Sequence, residues 1–166
     1  VSQQTSNQAI KLQKAFKTWL YNLRIENQYN ALYVFNSTET FFRDSDIRDT
    51  ANDAGIWESD LNSGYDLYIN NVVADNPDVD NSGNGISWLG GENFVIQNCD
   101  FLHFDIGMHV HPSSSHQCRF GFFINAEFDF ASNNNMTITN TNGGDIIGLT
   151  FTNTWTGTAT NYGVLI

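Results

Sequence analysis

The chain has 166 residues, enough for one domain, and 40% of them are hydrophobic, enough for a continuous core. Seven Lys and Arg stand against eighteen Asp and Glu, a formal charge of −11, which excludes nucleic acid as a partner because phosphate binding needs a basic face. No run of 18 apolar residues predicts a helical membrane span, no signal peptide is visible, and two cysteines, Cys99 and Cys118, do not make a disulfide framework.

The predicted elements repeat along the chain. Residues 1–8 are a polar lead-in. From Ala9 onward, small residues at Ala9, Ala31, Gly55, Gly85, Gly107, Asn135 and Gly163 each open an apolar-x-apolar triplet, at steps of 22 to 30 residues. Ile10-Lys11-Leu12, Leu32-Tyr33-Val34 and Met108-His109-Val110 show the pattern. A period of this size signals a solenoid in which each repeat buries its apolar face on its neighbours. Triplets are too short for helices, so the unit is built from strands.

A second repeat, apolar-x-apolar-x-Asn, runs out of phase with the first. Its copies end at Asn27, Asn71, Asn98 and Asn153, with Ser45 and Ala126 taking the Asn place in two weaker copies. Shared parity with the apolar residues predicts an inward-pointing Asn ladder at a bend. Cys99, just after Asn98, reads as a packed core or turn thiol. Two repeats per coil, plus the apolar residues after each Asn, predict about three short strands per turn. The expected architecture is an all-β, right-handed parallel β-helix of about six to seven coils over residues 9–166. Because the chain opens on Val1 and closes on Ile166 within a repeat strand, a central piece of a longer protein or part of a larger assembly is expected.

Candidate chemistry follows from this register. The middle residue of each triplet faces outward, which places Tyr33 and Trp57 side by side with His109 two coils further on. Exposed rings in a row suit the C–H faces of sugars, so these three are the candidate substrate-binding residues; packing on a neighbouring subunit or on a folded-back loop is the competing reading. Glu58 falls on inward parity, where a carboxylate is costly, so either the strand ends early and Glu58 swings out, or it is a tuned acid. Two residues before the openers, Asp53 and Asp105 flank Gly83 at an expected separation of roughly 9.5 Å, a spacing that suits an inverting glycosidase. Gly83 is expected to leave space between them. Asp53, Glu58 and Asp105 are therefore the candidate catalytic residues.

Metal signals are thin. Asp78 and Asp80 follow the first half of a calcium-loop pattern, with Asp75 or Glu92 as further oxygen donors, but Leu89 occupies the position of the bidentate acid. His109 and His111 lie on one face at i and i+2, without a third ligand of fixed geometry. No cofactor is required by any motif, and calcium stays open as an optional ion.

These repeats resemble the pectin-lyase-like β-helix superfamily, and most of all its phage tailspikes and polysaccharide depolymerases. The resemblance implies a carbohydrate-active protein that binds and hydrolyses a bacterial surface polysaccharide, extracellular or on a virion tail, as a homotrimer. It implies two alternatives as well: a non-catalytic spike or adhesin shaft, and a calcium-dependent lyase. It carries over no catalytic residues, since no catalytic motif of the family is recognisable.

Overall fold

A computed structural model describes residues 8–59, 64–77, 83–112, 116–140, 144–157 and 162–166. In chain order the strands are β1 (Gln8–Gln13), β2 (Phe16–Tyr21), β3 (Arg24–Glu26), β4 (Asn30–Phe35), β5 (Thr38–Arg48), β6 (Gly55–Glu58), β7 (Tyr65–Asp75) and β8 (Asn84–Trp88). They continue with β9 (Gly91–Leu102), β10 (Ile106–Val110), β11 (Gln117–Asp129), β12 (Asn134–Ile138), β13 (Asp145–Thr152), β14 (Trp155–Thr156) and β15 (Tyr162–Leu165). There is no helix among the described residues.

Every strand pair is parallel, and each strand inside a sheet pairs with its equivalents one coil before and one coil after. The first sheet runs β1-β4-β6-β8-β10-β12-β15. The second runs β13-β11-β9-β7-β5-β2, with β14 on β11 and β3 on β5. The protein is thus a parallel β-solenoid, as the repeats predict. Parallel sheets bury their inner face completely, and here that face closes on itself around a core of stacked side chains. Phe94 meets Trp57 and Trp88 edge-on at centroid distances of 4.9 and 5.1 Å, and Phe101 stacks on Phe128 at 5.5 Å. Cys99 lies in this core, where burial pushes its thiol up to about 12, so it packs and does not react.

The long strands β5, β7, β9 and β11 change direction partway, at single residues in the left-handed region. One such corner stacks Asn22, Asp44, Asn71, Asn98, Asn125 and Asn153, with φ between 47° and 55°. Asn and Asp tolerate this conformation better than other side chains that carry a Cβ. Their amides make a ladder: Asn71 Nδ2 donates to Asp44 Oδ1 at 2.8 Å, Asn125 to Asn98 at 3.0 Å and Asn153 to Asn125 at 3.2 Å.

The ladder is real, but the expectation that it points inward is corrected. Asn71, Asn98, Asn125 and Asn153 are exposed. A left-handed residue breaks the two-residue alternation, so the side chain at the bend points out and the next one turns in. Ser45 and Ala126 are those next residues, buried, while Asp44 and Asn125 hold the corner. Asn27 belongs to the following corner, with Asp49, His103 and Phe130, all at positive φ.

Candidate functional site

The outer face of the first sheet collects most of the polar chemistry. Its outward columns are set by register. Leu32 pairs with Gly55, Tyr33 with Ile56, Val34 with Trp57 and Phe35 with Glu58. Gly55 in turn pairs with Ile86, Ile56 with Ser87 and Trp57 with Trp88. The small residue equivalent to Ala31 is therefore Ala54, and the sequence register taken from Gly55 is one residue late in this coil.

A one-residue slip exchanges the two faces of a strand, and it overturns the placement of two candidates. Trp57 is not an exposed platform. It is 1% exposed, stacked on Trp88 at 5.6 Å with planes 9° apart. Room for it comes from Gly91, at φ +123°, where an added Cβ would stand 2.4 Å from Trp57 Cζ2. Ile56 takes the outward position expected of Trp57, and Glu58, paired with Phe35, faces outward two residues further along β6. It needs no early end of the strand, because β6 extends through it.

Glu58 lines an open groove of about 510 Å³ together with Tyr33, Asp53, Asn84, Ser87 and His111. Tyr33, on β4, donates its phenol O–H to Glu58 Oε2 at 2.6 Å. Asp53, just before β6, is 6% exposed. Its Oδ2 accepts the Ser87 hydroxyl at 2.7 Å and its Oδ1 accepts the Asn84 backbone N–H at 2.8 Å. Asn84 also holds Ser87 through Nδ2 to Oγ at 2.8 Å. Burial pushes the Asp53 carboxyl above its ordinary value, and the bonds from Ser87 and Asn84 draw it part of the way back. Two acids thus share one groove in unlike surroundings, one buried and one half-exposed.

The Asp53–Asp105 pairing read from the sequence does not assemble. Asp53 sits in the column of Asn30, Asn84 and Asn134, whereas Asp105 follows Gly83 in the column of Asn52 and Asn133. Asp105 accepts the Ser132 hydroxyl at 2.9 Å and lies outside the groove lining. Nor does Gly83 leave open space: an added Cβ would meet the Asn52 carbonyl carbon at 2.4 Å, and its φ of +90° suits glycine.

His109 does face outward, next to Ser87 in the neighbouring coil. Its ring stacks on His111 at 3.8 Å, and Thr139 Oγ1 lies 3.4 Å from its Nε2. Burial, and then the neighbouring His111, push His109 down to about 4; burial also lowers His111. Both imidazoles are neutral at physiological pH. Near-parallel rings aim their nitrogen lone pairs alongside one another, not at a common point, so the pair does not chelate as it stands. Among the described residues no group of three or more His, Cys, Asp or Glu is placed to hold a metal ion. Asp78 and Asp80 lie outside the described residues.

Sequence reasoning missed Asn84 and Ser87. The signal was there: Asn84-x-x-Ser87 recurs as Asn134-x-x-Thr137 two coils on, where Asn134 Nδ2 donates to Thr137 Oγ1 at 3.2 Å. Also missed was the aromatic row on the other sheet, where Trp19, Phe41 and Tyr68 stack outside at 4.1 and 5.0 Å.

No protein-family model matches the chain, and no curated protein sequence matches it. Fold and groove together define the class of the molecule: an all-β parallel solenoid with a polar, two-carboxyl groove on one outer face.

Proposed function

We propose that this protein is a carbohydrate-active β-helix of the tailspike and depolymerase kind, which holds a glycan on the outer face of its first sheet and hydrolyses it in the Asp53–Glu58 groove. The observation that carries the reading is the pair of carboxyls lining one open groove, with the Asp53 carboxyl displaced toward its protonated form by burial. Two carboxyls in unlike environments supply the acid and the base that glycoside hydrolysis needs.

In this mechanism protonated Asp53 gives its proton to the glycosidic oxygen as the bond from that oxygen to the anomeric carbon breaks. A water oxygen bonds to the anomeric carbon from the other side, and Glu58 accepts the proton that the water loses. One water is consumed per bond cut, and solvent restores both protonation states. The His109–His111 stack offers ring surface and hydrogen-bonding atoms to the sugar. The charge of −11 favours a neutral glycan over an acidic one. The resemblance to the pectin-lyase-like superfamily supplies the setting: extracellular or on a virion surface, as a homotrimer.

The test is incubation with a panel of capsular and O-antigen polysaccharides, with and without a calcium chelator, followed by mass spectrometry. Fragments gaining one water per cut are expected, with Asp53→Asn and Glu58→Gln each slowing cleavage by about 10²–10⁴-fold. Undiminished cleavage by both variants overturns the site. Unsaturated ends abolished by the chelator point instead to a calcium-dependent lyase. One observation favours a non-catalytic shaft: Asp53 also holds the backbone N–H of Asn84 at the start of β8, a structural role. Binding without shortening across the panel establishes that reading.

A further inference from the structure

The groove holds a contact with a role beyond sugar binding. Tyr33 and Glu58 are diagonal neighbours on adjacent parallel strands, since Tyr33 pairs with Ile56 and Phe35 with Glu58. Diagonal pairs are within reach of a long aromatic side chain. The phenol spans this diagonal and donates to Glu58 Oε2 at 2.6 Å, the length of a bond to an ionised acceptor. The ring itself is held from two sides. Lys11 Nζ, one coil earlier, lies 5.3 Å from the ring centroid, and the Phe35 ring is stacked at 6.2 Å on the same strand. Cation–π contact and ring stacking each restrict the ring, so the O–H reaches Glu58 from a pre-set direction.

We propose that Tyr33 is the positioning residue of the groove: with Lys11 and Phe35 fixing its ring, its phenol holds the Glu58 carboxylate in one orientation in the groove that Asp53 also lines. This rests on the hydrolase reading above for its catalytic consequence, but the contact itself does not. Without the phenol, the half-exposed Glu58 side chain is free to take other staggered rotamers. A group that acts only through another leaves a specific kinetic signature. Its removal lowers kcat and leaves substrate affinity alone, and costs nothing further once its partner is gone.

The experiment is a double-mutant cycle of Tyr33→Phe and Glu58→Gln on the glycan the protein cleaves, read alongside the carbon-13 carboxyl signal of Glu58. Tyr33→Phe removes one oxygen from a half-exposed ring and leaves the core untouched. The expected result is a fall in kcat of about 10–100-fold with KM within about twofold, and no added loss from Tyr33→Phe in the Glu58→Gln background. A raised KM at constant kcat, or fully additive losses, overturns the proposal and makes Tyr33 a direct sugar contact. The carboxyl signal is assigned by its loss in Glu58→Gln and needs no substrate. It is expected to shift in Tyr33→Phe; an unmoved signal sinks the proposal whatever the kinetics. A shifted signal in a protein that cleaves no glycan upholds the positioning contact and counts against the hydrolase reading instead.

Discussion

The two long outer faces of the solenoid are made by the same stacking and carry opposite chemistry. On the first sheet the outward columns change from coil to coil, through Lys11, Tyr33, Ile56, Ser87, His109 and Thr137. Unlike neighbours at coil spacing reach each other with hydrogen bonds, and a groove with two carboxyls results. On the second sheet Trp19, Phe41 and Tyr68 follow one another, and like neighbours stack into a ladder of nearly parallel rings, 11° and 5° apart. A solenoid turns sequence variation between coils into a site, and sequence repetition into a surface of uniform character.

Two tryptophans make the sharpest contrast, and substituting them tests it first. Trp57→Ala is expected to cost about 3–5 kcal/mol, since it empties a fully buried volume between Trp88 and Phe94. Trp19, at 57% exposed, stacks on Phe41 at the surface and empties no buried volume when removed. Chemical denaturation of both variants checks the pair, and equal losses would erase the inside-outside assignment of the register.

The corner between the two faces of the long strands comes next. Asn98→Ala places an ordinary side chain at φ 53° and removes the acceptor for Asn125, for an expected loss of about 1–2 kcal/mol. Asn98→Gly, which accepts that conformation freely, is expected to recover most of it. If alanine and glycine behave alike, backbone conformation is not what selects Asn there.

Acid sharpens the contrast further. His109 is held below its unfolded value of about 6.5, so the unfolded chain binds protons first as pH falls. Its contribution is whole above pH 6.5 and is lost as pH drops toward 4, on the order of 1 kcal/mol once partial exposure is discounted. Denaturation midpoints of the protein and of His109→Gln between pH 7 and pH 4 are expected to converge on the acid side. Asp53 has the opposite sign: with its pKa raised, its contribution is present at low pH and declines as pH rises through the folded value. Asp53→Asn is therefore expected to cost little stability at neutral pH while slowing cleavage by about 10²–10⁴-fold.

The smallest effect is expected at Trp19→Ala itself, about 1 kcal/mol or less, the worth of one exposed ring stack. A loss as large as that of Trp57→Ala would mean that the outer ladder is covered in solution.

Much of the architecture was legible in the residues themselves. Small residues before apolar triplets, and Asn at fixed places, recur because every coil meets the same packing and the same bends. That periodicity is enough to specify parallel stacked strands and a polar ladder. Glu58 was legible as chemistry because it breaks the apolar pattern of its repeat, Tyr33 because it holds the outward place of a triplet, and Asp53 because it lies two residues before an opener. Register was not legible where the coils differ in length. Ala54 and Gly55 are both small, and only the fit of Trp57 against Trp88 and Gly91 decides which of them matches Ala31. That choice buries Trp57, brings Glu58 out to Tyr33, and separates Asp53 from Asp105. Parity through a left-handed corner was equally hidden, because one residue at positive φ reverses the alternation that sequence reading assumes. Local pattern determines what repeats; which residue faces which across coils is settled by volume and hydrogen bonding between segments more than 20 residues apart, and that information exists only once the chain has stacked.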